Sequence, residues 1–294
     1  MNTHSPIHEF LSIQQPVHME YLTNTLVPLT YYHYHNGCEI YLFLHGNTTM
    51  YVESQAFPLK RGDLFVLRPN ELHRAFCLDN TSYERCTLYL MPEYLKSIST
   101  PQTDLFRFFT APSTNNCMRH LCEQELQQFL LLFQKIKQHR HSSAYGDDLL
   151  ANTELIQLLV MINLIFEKKE MHIENYMPDV IRDTMDYIEA HLTEPISLQN
   201  LSQALFHNGA YLSRKFKEHT GISLRDYILC KRILLAKDLL SQGLPLTTVC
   251  QESGFHDYAN FTRTFTKHTG YSPGKYQKLL LSPMRNTSSI DVSQ

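Results

Sequence analysis

Apolar residues are spaced in more than one way along the chain. Between 29 and 91 they come in short alternating runs, at 39–44, 48–52, 63–67, 72–77 and 85–90, separated by Asn36-Gly37, Gly46-Asn47 and Arg61-Gly62-Asp63. Alternation at period two between turn formers predicts strands. Evenly spaced short strands predict a β jelly roll whose interior has room for a ligand. Between 123 and 170 the period lengthens: Leu126, Phe129, Leu130, Phe133 and Ile136 fall at helical spacing, and 149–166 is apolar nearly all round. A helix of that second kind needs cover on several sides. The jelly roll supplies one side, and a second copy packed about a two-fold axis supplies the rest, so a homodimer is expected. Residues 1–28 are predicted as a loosely packed arm, 92–122 as a loop with helical turns around 105–109, 171–178 as a linker and 282–294 as a loose tail.

The last third of the chain writes one pattern twice. Arg214, Phe216, His219, Thr220, Gly221, Ser223 and Tyr227 return 49 residues later as Arg263, Phe265, His268, Thr269, Gly270, Ser272 and Tyr276. Each copy predicts helix, tight turn, helix, over 198–219 and 246–269. In the first, Ser197 caps a helix with Leu198, Leu201 and Leu205 inward. A turn follows at Phe206-His207-Asn208, and a second helix with Leu212 and Phe216 inward stops at Gly221. In the second copy, Leu246 and Val249 form the first helix and Gly254-Phe255-His256-Asp257 the turn. Asp257 caps a helix that buries Phe261 and Phe265 and ends at Gly270. This is the outline of a helix-turn-helix, whose second helix enters the DNA major groove. Between the copies a helix is expected over 224–241, started by Ser223 and Asp226 and ended by Gly243 and Pro245. Its inward residues are Tyr227, Cys230, Leu234 and Ala236; Lys231, Arg232 and Lys237 are left for solvent or phosphate. Its length of roughly 27 Å, with the turns at its ends, approaches the ~34–36 Å of one duplex turn.

Net charge changes this picture little. The chain carries −3 overall, but 1–178 holds 13 basic against 18 acidic residues and 179–281 holds 12 against 10, so the basic excess sits where phosphates would. Seven cysteines without a C-x-x-C predict a reducing compartment rather than a disulfide scaffold; Cys117 and Cys122 are expected to be buried small residues. The stretch 155–166 is broken by Gln157 and Asn163 and is too short to predict a membrane span.

Tyr211-Leu212-Ser213-Arg214-Lys215-Phe216-Lys217, Thr220-Gly221-Ile222-Ser223, Gly254-Phe255, Phe261-Thr262-Arg263-Thr264-Phe265 and Gly270-Tyr271-Ser272-Pro273 together resemble the C-terminal DNA-binding domain of the AraC/XylS-type bacterial regulators. The chain departs from that pattern at Gln277, where Arg is usual, at Cys250, where Ala is usual, and at Asn208-Gly209, where a Ser-led cap is commoner. The resemblance implies base contacts from Ala210, Ser213 and Arg214 in the first copy. In the second it implies them from Tyr258, Ala259, Asn260 and Arg263, with Lys215, Lys217 and Lys267 positioned on phosphates.

His33-x-His35, Glu39 and Gly46, followed by Gly62-Asp63, Pro69 and His73, are similar to a cupin, in whose metal-bearing members two histidines, a carboxylate and a later histidine converge. Residues two apart on a strand face one side, so His33 and His35 point together. The four residues offer contacts to a polar ligand, ligands for a divalent metal such as zinc, iron, nickel or manganese, or ties between strands. Tyr41 and Arg68 join them as candidate ligand contacts. Tyr31, Tyr32, Tyr34, Tyr41, Phe43 and Tyr51 suit apolar walls.

The expected fold is therefore α+β in two domains: a cupin-like ligand-sensing jelly roll (29–122) with a helical dimerisation segment (123–170), then an all-α DNA-binding domain (179–281). The resemblance implies a cytoplasmic, nucleoid-associated regulator, an activator touching RNA polymerase, with a sugar or sugar derivative as effector. It implies no membrane, no cofactor and no enzymatic role. The rival readings are a metal-dependent cupin enzyme with accessory DNA binding and an effector-independent DNA-binding protein.

Overall fold

The computed structural model describes residues 15–23, 32–79, 82–110, 117–168 and 174–281. Two compact units emerge. One holds the described residues up to Asp183 together with Arg214–Ile222; the other holds Thr184–Ser213 and the described residues from Ser223 onward.

The first unit is built on two antiparallel sheets. One runs in the order β1 (Val17–Thr23), β7 (Glu84–Leu90), β2 (Cys38–His45), β5 (Asp63–Leu67), β8 (Met118–His120). The other runs β4 (Gln55–Pro58), β3 (Thr48–Val52), β6 (His73–Cys77). Helices α2 (Glu123–Arg140) and α3 (Asp147–Glu167) cover the larger sheet; α1 (Pro92–Ile98) and a 3-10 turn at Arg107–Phe109 fill the connection. Strand parity divides the side chains between two cores. Cys38, Ile40, Leu42 and Leu44 of β2, Leu64 and Val66 of β5, and Cys86, Leu88 and Leu90 of β7 share one core with Phe129, Phe133, Leu158, Ile162 and Phe166 of the helices. The alternate residues Tyr41, Phe43, Phe65 and Leu67 pack instead with Met50, Val52, Phe57 and Ala75 of the smaller sheet. Covered on both faces, β2 is buried at every position but its last, which is why it reads as a near-continuous apolar run.

By length and a mean hydropathy of 1.8 over its most apolar window, α3 is long and apolar enough to cross a bilayer, more than the short stretch at 155–166 suggested. Here Leu155, Leu158, Leu159, Ile162, Ile165 and Phe166 are buried in the core beneath the sheet.

The helices after the linker are α4 (Asp179–Ala190), α5 (Leu198–Ala204), α6 (Gly209–Thr220), α7 (Leu224–Ser241), α8 (Leu246–Glu252), α9 (Tyr258–Thr269) and α10 (Pro273–Leu281). Ser223 caps α7 by accepting from the Asp226 amide, and Asp257 caps α9 by accepting from the Asn260 amide. Val249, Cys250, Phe255, Phe261 and Phe265 close on Ile233, Ala236 and Leu240 of α7 in one core. Gln277 turns inward, its Nε2 donating to the Leu244 carbonyl at 2.7 Å. Gly209 opens α6 because a Cβ there would meet Leu198 Cγ at 2.8 Å.

Several expectations need correction. Val17–Thr23, expected within a loose arm, pair along their whole length with β7. The short strands β4 and β8 lie where no strand was expected. Cys122 is exposed rather than buried; it stands at the N-terminus of α2, where its amide donates to Glu125 at 3.0 Å. Lys231, Arg232 and Lys237 are not left for phosphate. Lys231 pairs with Glu189 at 3.0 Å, Arg232 donates to the Leu192 and Glu194 carbonyls, and Lys237 is buried with its ammonium 5.7 Å from the Tyr276 ring centre. Tyr31, the tail 282–294 and most of the 1–28 arm lie outside the described residues.

Candidate nucleic-acid interface and buried histidine–carboxylate site

On α9, Ala259, Arg263 and Lys267 recur every fourth residue and are exposed on one face, flanked by exposed Tyr258 and Asn260, while Phe261 and Phe265 are buried. The Arg263 guanidinium donates to Asn260 Oδ1 at 3.1 Å, so the usual reader of guanine and the usual reader of adenine are coupled before any base is met. On α6, Ala210, Arg214 and Lys217 are exposed and Ser213 is half-buried. Asn208 supplies the cap that the Ser-led pattern lacks, its Oδ1 accepting from the Ala210 amide at 2.9 Å. Lys215 pairs with Glu218 at 3.1 Å, which leaves it the less available of the first copy's cations.

The second site lies inside the first unit. His35 and His73 both approach the same carboxylate oxygen, Oε2 of Glu39, at 2.9 and 3.1 Å, and all three side chains are buried. His35 Nδ1 stands 2.8 Å from the Gly37 carbonyl and His73 Nδ1 2.8 Å from the Glu71 carbonyl. A carbonyl only accepts, so each Nδ1 carries a proton, and each Nε2 can donate to Glu39 only if its ring is doubly protonated. Burial alone would raise the Glu39 carboxyl, but the hydrogen bonds from His35 and His73 hold it well below the usual range. Burial alone would lower His73; the Glu39 carboxylate reverses that and raises it.

Neutral rings would instead turn two Nε2 lone pairs and a carboxylate oxygen onto one point, with ligand atoms within 4.8 Å of one another. A backbone carbonyl on each Nδ1 fixes the ring and its tautomer with Nε2 free, as such a partner does for a histidine that binds a metal. The residues present therefore fit a divalent cation, held by His35, Glu39 and His73, that would act as a charged anchor for a polar ligand. His33 stands beside this set, its ring centre 4.3 Å from that of His73 and its backbone bridged to it.

Of the other candidates, Tyr41 faces the same interior and its hydroxyl meets that of Tyr83 at 2.6 Å. Arg68 does not join them: its guanidinium is held by Glu71 in a turn. Sequence reasoning passed over Arg85, Thr87 and Tyr89. Their register against Phe43, Tyr41 and Glu39 puts them on the interior face of β7. The guanidinium of Arg85 lies 5.7 Å from the Tyr41 ring centre and donates to Glu20. The alternation of Arg85, Thr87 and Tyr89 with apolar Cys86, Leu88 and Leu90 shows that β7 has two faces, and only its register against β2 shows which is interior.

Two family models match this arrangement. An AraC-like ligand binding domain matches residues 27–159 and a helix-turn-helix domain matches 201–279. The chain belongs to the AraC-type transcriptional regulators. Among its relatives, LumQ of Photobacterium leiognathi, itself named a probable transcriptional regulator, is 28% identical over 84% of this chain and 91% of its own. An HTH-type transcriptional regulator of Staphylococcus aureus is 25% identical over 82% of this chain. The chain spans 31% of that relative's length. The solved structure of an apo ToxT variant from Vibrio cholerae is 13% identical, covers 92% of this chain and all of its own, and gives a TM-score of 0.39. As an AraC-type regulator the chain is a DNA-binding transcription factor carrying a ligand-binding domain.

Proposed function

We propose that this regulator is a dimeric, cytoplasmic transcription activator that works through RNA polymerase and is switched by a small polar effector bound between its two sheets. The observation that carries the reading is the composition of that interior: a buried carboxylate and two histidines beside a Tyr41–Tyr83 hydroxyl pair and a cation stacked on aromatic rings. Hydroxyls, fixed charges and ring faces together suit a carbohydrate or its derivative, the effector class we propose. Binding of such a ligand at about 100 times its Kd adds roughly 2.7 kcal/mol of stability. A thermal-shift screen of sugars and sugar phosphates is therefore expected to yield compounds that raise the melting temperature of wild type but not of Tyr41→Phe. A screen without a single such compound would overturn the effector class.

A second reading, a resident divalent cation in the same site, is favoured by the convergence of His35, Glu39 and His73 and by the carbonyls that fix both imidazoles. Elemental analysis of protein purified without chelator decides it: about one metal per chain is required. No catalytic role is proposed.

The proposed dimer uses α3. Leu149 (67% exposed), Ile156 and Leu164 (57% exposed) fall seven and eight residues apart and so share one stripe, and a second copy related by a two-fold axis presents the same stripe to it. Leu164→Glu is expected to convert dimer to monomer in sedimentation while leaving the melting temperature of the helical C-terminal unit unchanged.

Base reading is proposed for Arg263 and Asn260. Arg263→Ala is expected to weaken specific binding by roughly 1–3 kcal/mol and to relax preference at one base position. Competition against a panel of single-base operator variants measures both effects.

A further inference from the structure

The cations of the α7 region have unequal fates. Lys231, Arg232 and Lys237 are consumed by Glu189, by backbone carbonyls and by burial against Tyr276. Arg225, on the first turn of the same helix, is exposed and has no ion-pair partner among the described residues. It lies where two hollows meet. One, of about 650 Å³, is bounded by Ser213 of the first recognition helix and by Asn260 and Thr264 of the second; the other, of about 480 Å³, by Asn260, Arg263 and Lys267. Arg225 lines both. Two carboxylates line the trough, and both are engaged: that of Asp226 accepts from the Ser223 hydroxyl at 2.6 Å, and that of Asp257 caps α9 by accepting from the Asn260 amide.

We infer that Arg225 is a DNA contact, and that its ligand is a backbone phosphate on the strand lying between the two groove insertions. The inference rests on the reading that α9 enters the major groove. Two helices inserted into successive major grooves leave the intervening minor groove and its flanking phosphates facing whatever joins them. Here that face is the trough, and Arg225, which lines both of its hollows, is a guanidinium with no ion-pair partner among the described residues. A long cation in that place is suited to bidentate phosphate recognition. It holds the relative register of the two recognition helices on the duplex without itself reading sequence.

The test uses the full-length chain and a duplex that the wild type selects from a randomised pool, with affinity measured by fluorescence anisotropy from 50 to 200 mM salt. One lost phosphate contact lowers the log–log salt slope by about one, so this fourfold salt increase is expected to cost Arg225→Ala about threefold less affinity than it costs the wild type. Affinity at 50 mM falls alike for every single-base variant of the duplex, and Arg225→Lys keeps the wild-type slope. Arg225→Gln, checked for an unchanged melting temperature, guards against misfolding.

An unchanged slope and affinity in the folded variants would overturn the inference while leaving the loss in Arg263→Ala intact. Lost preference at a single base position would also overturn it, because Arg225 would then read a base. A wild type that selects no duplex would overturn the family reading beneath it.

Discussion

Replacing Gly254 by alanine is expected to cost roughly 3–5 kcal/mol and to melt the second helix-turn-helix well before the rest of the chain. Gly254 has φ +80°, and a Cβ there would lie 2.6 Å from the Leu192 carbonyl oxygen, 2.8 Å from Arg232 Nε and 3.1 Å from Thr193 Cα. None of these can step aside cheaply. The Leu192 carbonyl accepts from Arg232 Nε at 2.9 Å, and Arg232 is also fixed to the Glu194 carbonyl at 2.7 Å. A side chain at 254 therefore pushes the end of α4 away from α7 and breaks the bonds that join them. Gly270, with φ +76° and nothing within 4 Å of its virtual Cβ, isolates the backbone component. Gly270→Ala is expected to lose only about 1–2 kcal/mol. Chemical denaturation of the two variants side by side measures the difference, and equal losses would show that close packing at Gly254 contributes nothing.

The second large effect is expected at Glu39. Truncation to alanine leaves two buried imidazoles facing one another without their shared carboxylate, and breaking a buried ion pair from one side costs roughly 3–5 kcal/mol. His73→Phe, which removes one of the imidazoles, is expected to recover part of that loss when combined with Glu39→Ala. A double-mutant cycle read by urea denaturation reports the coupling. Independent, additive losses would mean that the three groups do not act as one cluster. The same variants carry the metal question, since a cation held by His35, Glu39 and His73 leaves with Glu39.

Much of the DNA-binding half was legible because its signals are local. Ser223 and Asp226 begin α7 where expected, the linker helix runs Leu224–Ser241, and both recognition helices stop at the glycines that end their patterns. The misreadings came from partners distant in sequence. Lys237 reads as a solvent-facing lysine until Tyr276 closes over it: a long apolar stem can be buried whatever its charged tip suggests. Val17–Thr23 reads as a polar arm because an edge strand is only half covered, and its burial follows from pairing with residues more than sixty positions away. In the sensing half, His35 and Glu39 were legible as a pair because a short turn joins them. Arg85 and Thr87 were not, because alternation says that β7 has two faces but not which of them is interior.

The central strand β2 is an eight-residue partition with helices on one side and the interior of the sandwich on the other. Ile40 and Leu42 pack in the helical layer, while Tyr41, and Glu39 by strand parity, turn toward the smaller sheet. Only the thickness of one main chain separates the two sides. A ligand bound between the sheets, as proposed, would press on the same strand that backs the helices of the proposed dimer face, so that occupancy inside and association outside become two readings of the position of a single strand.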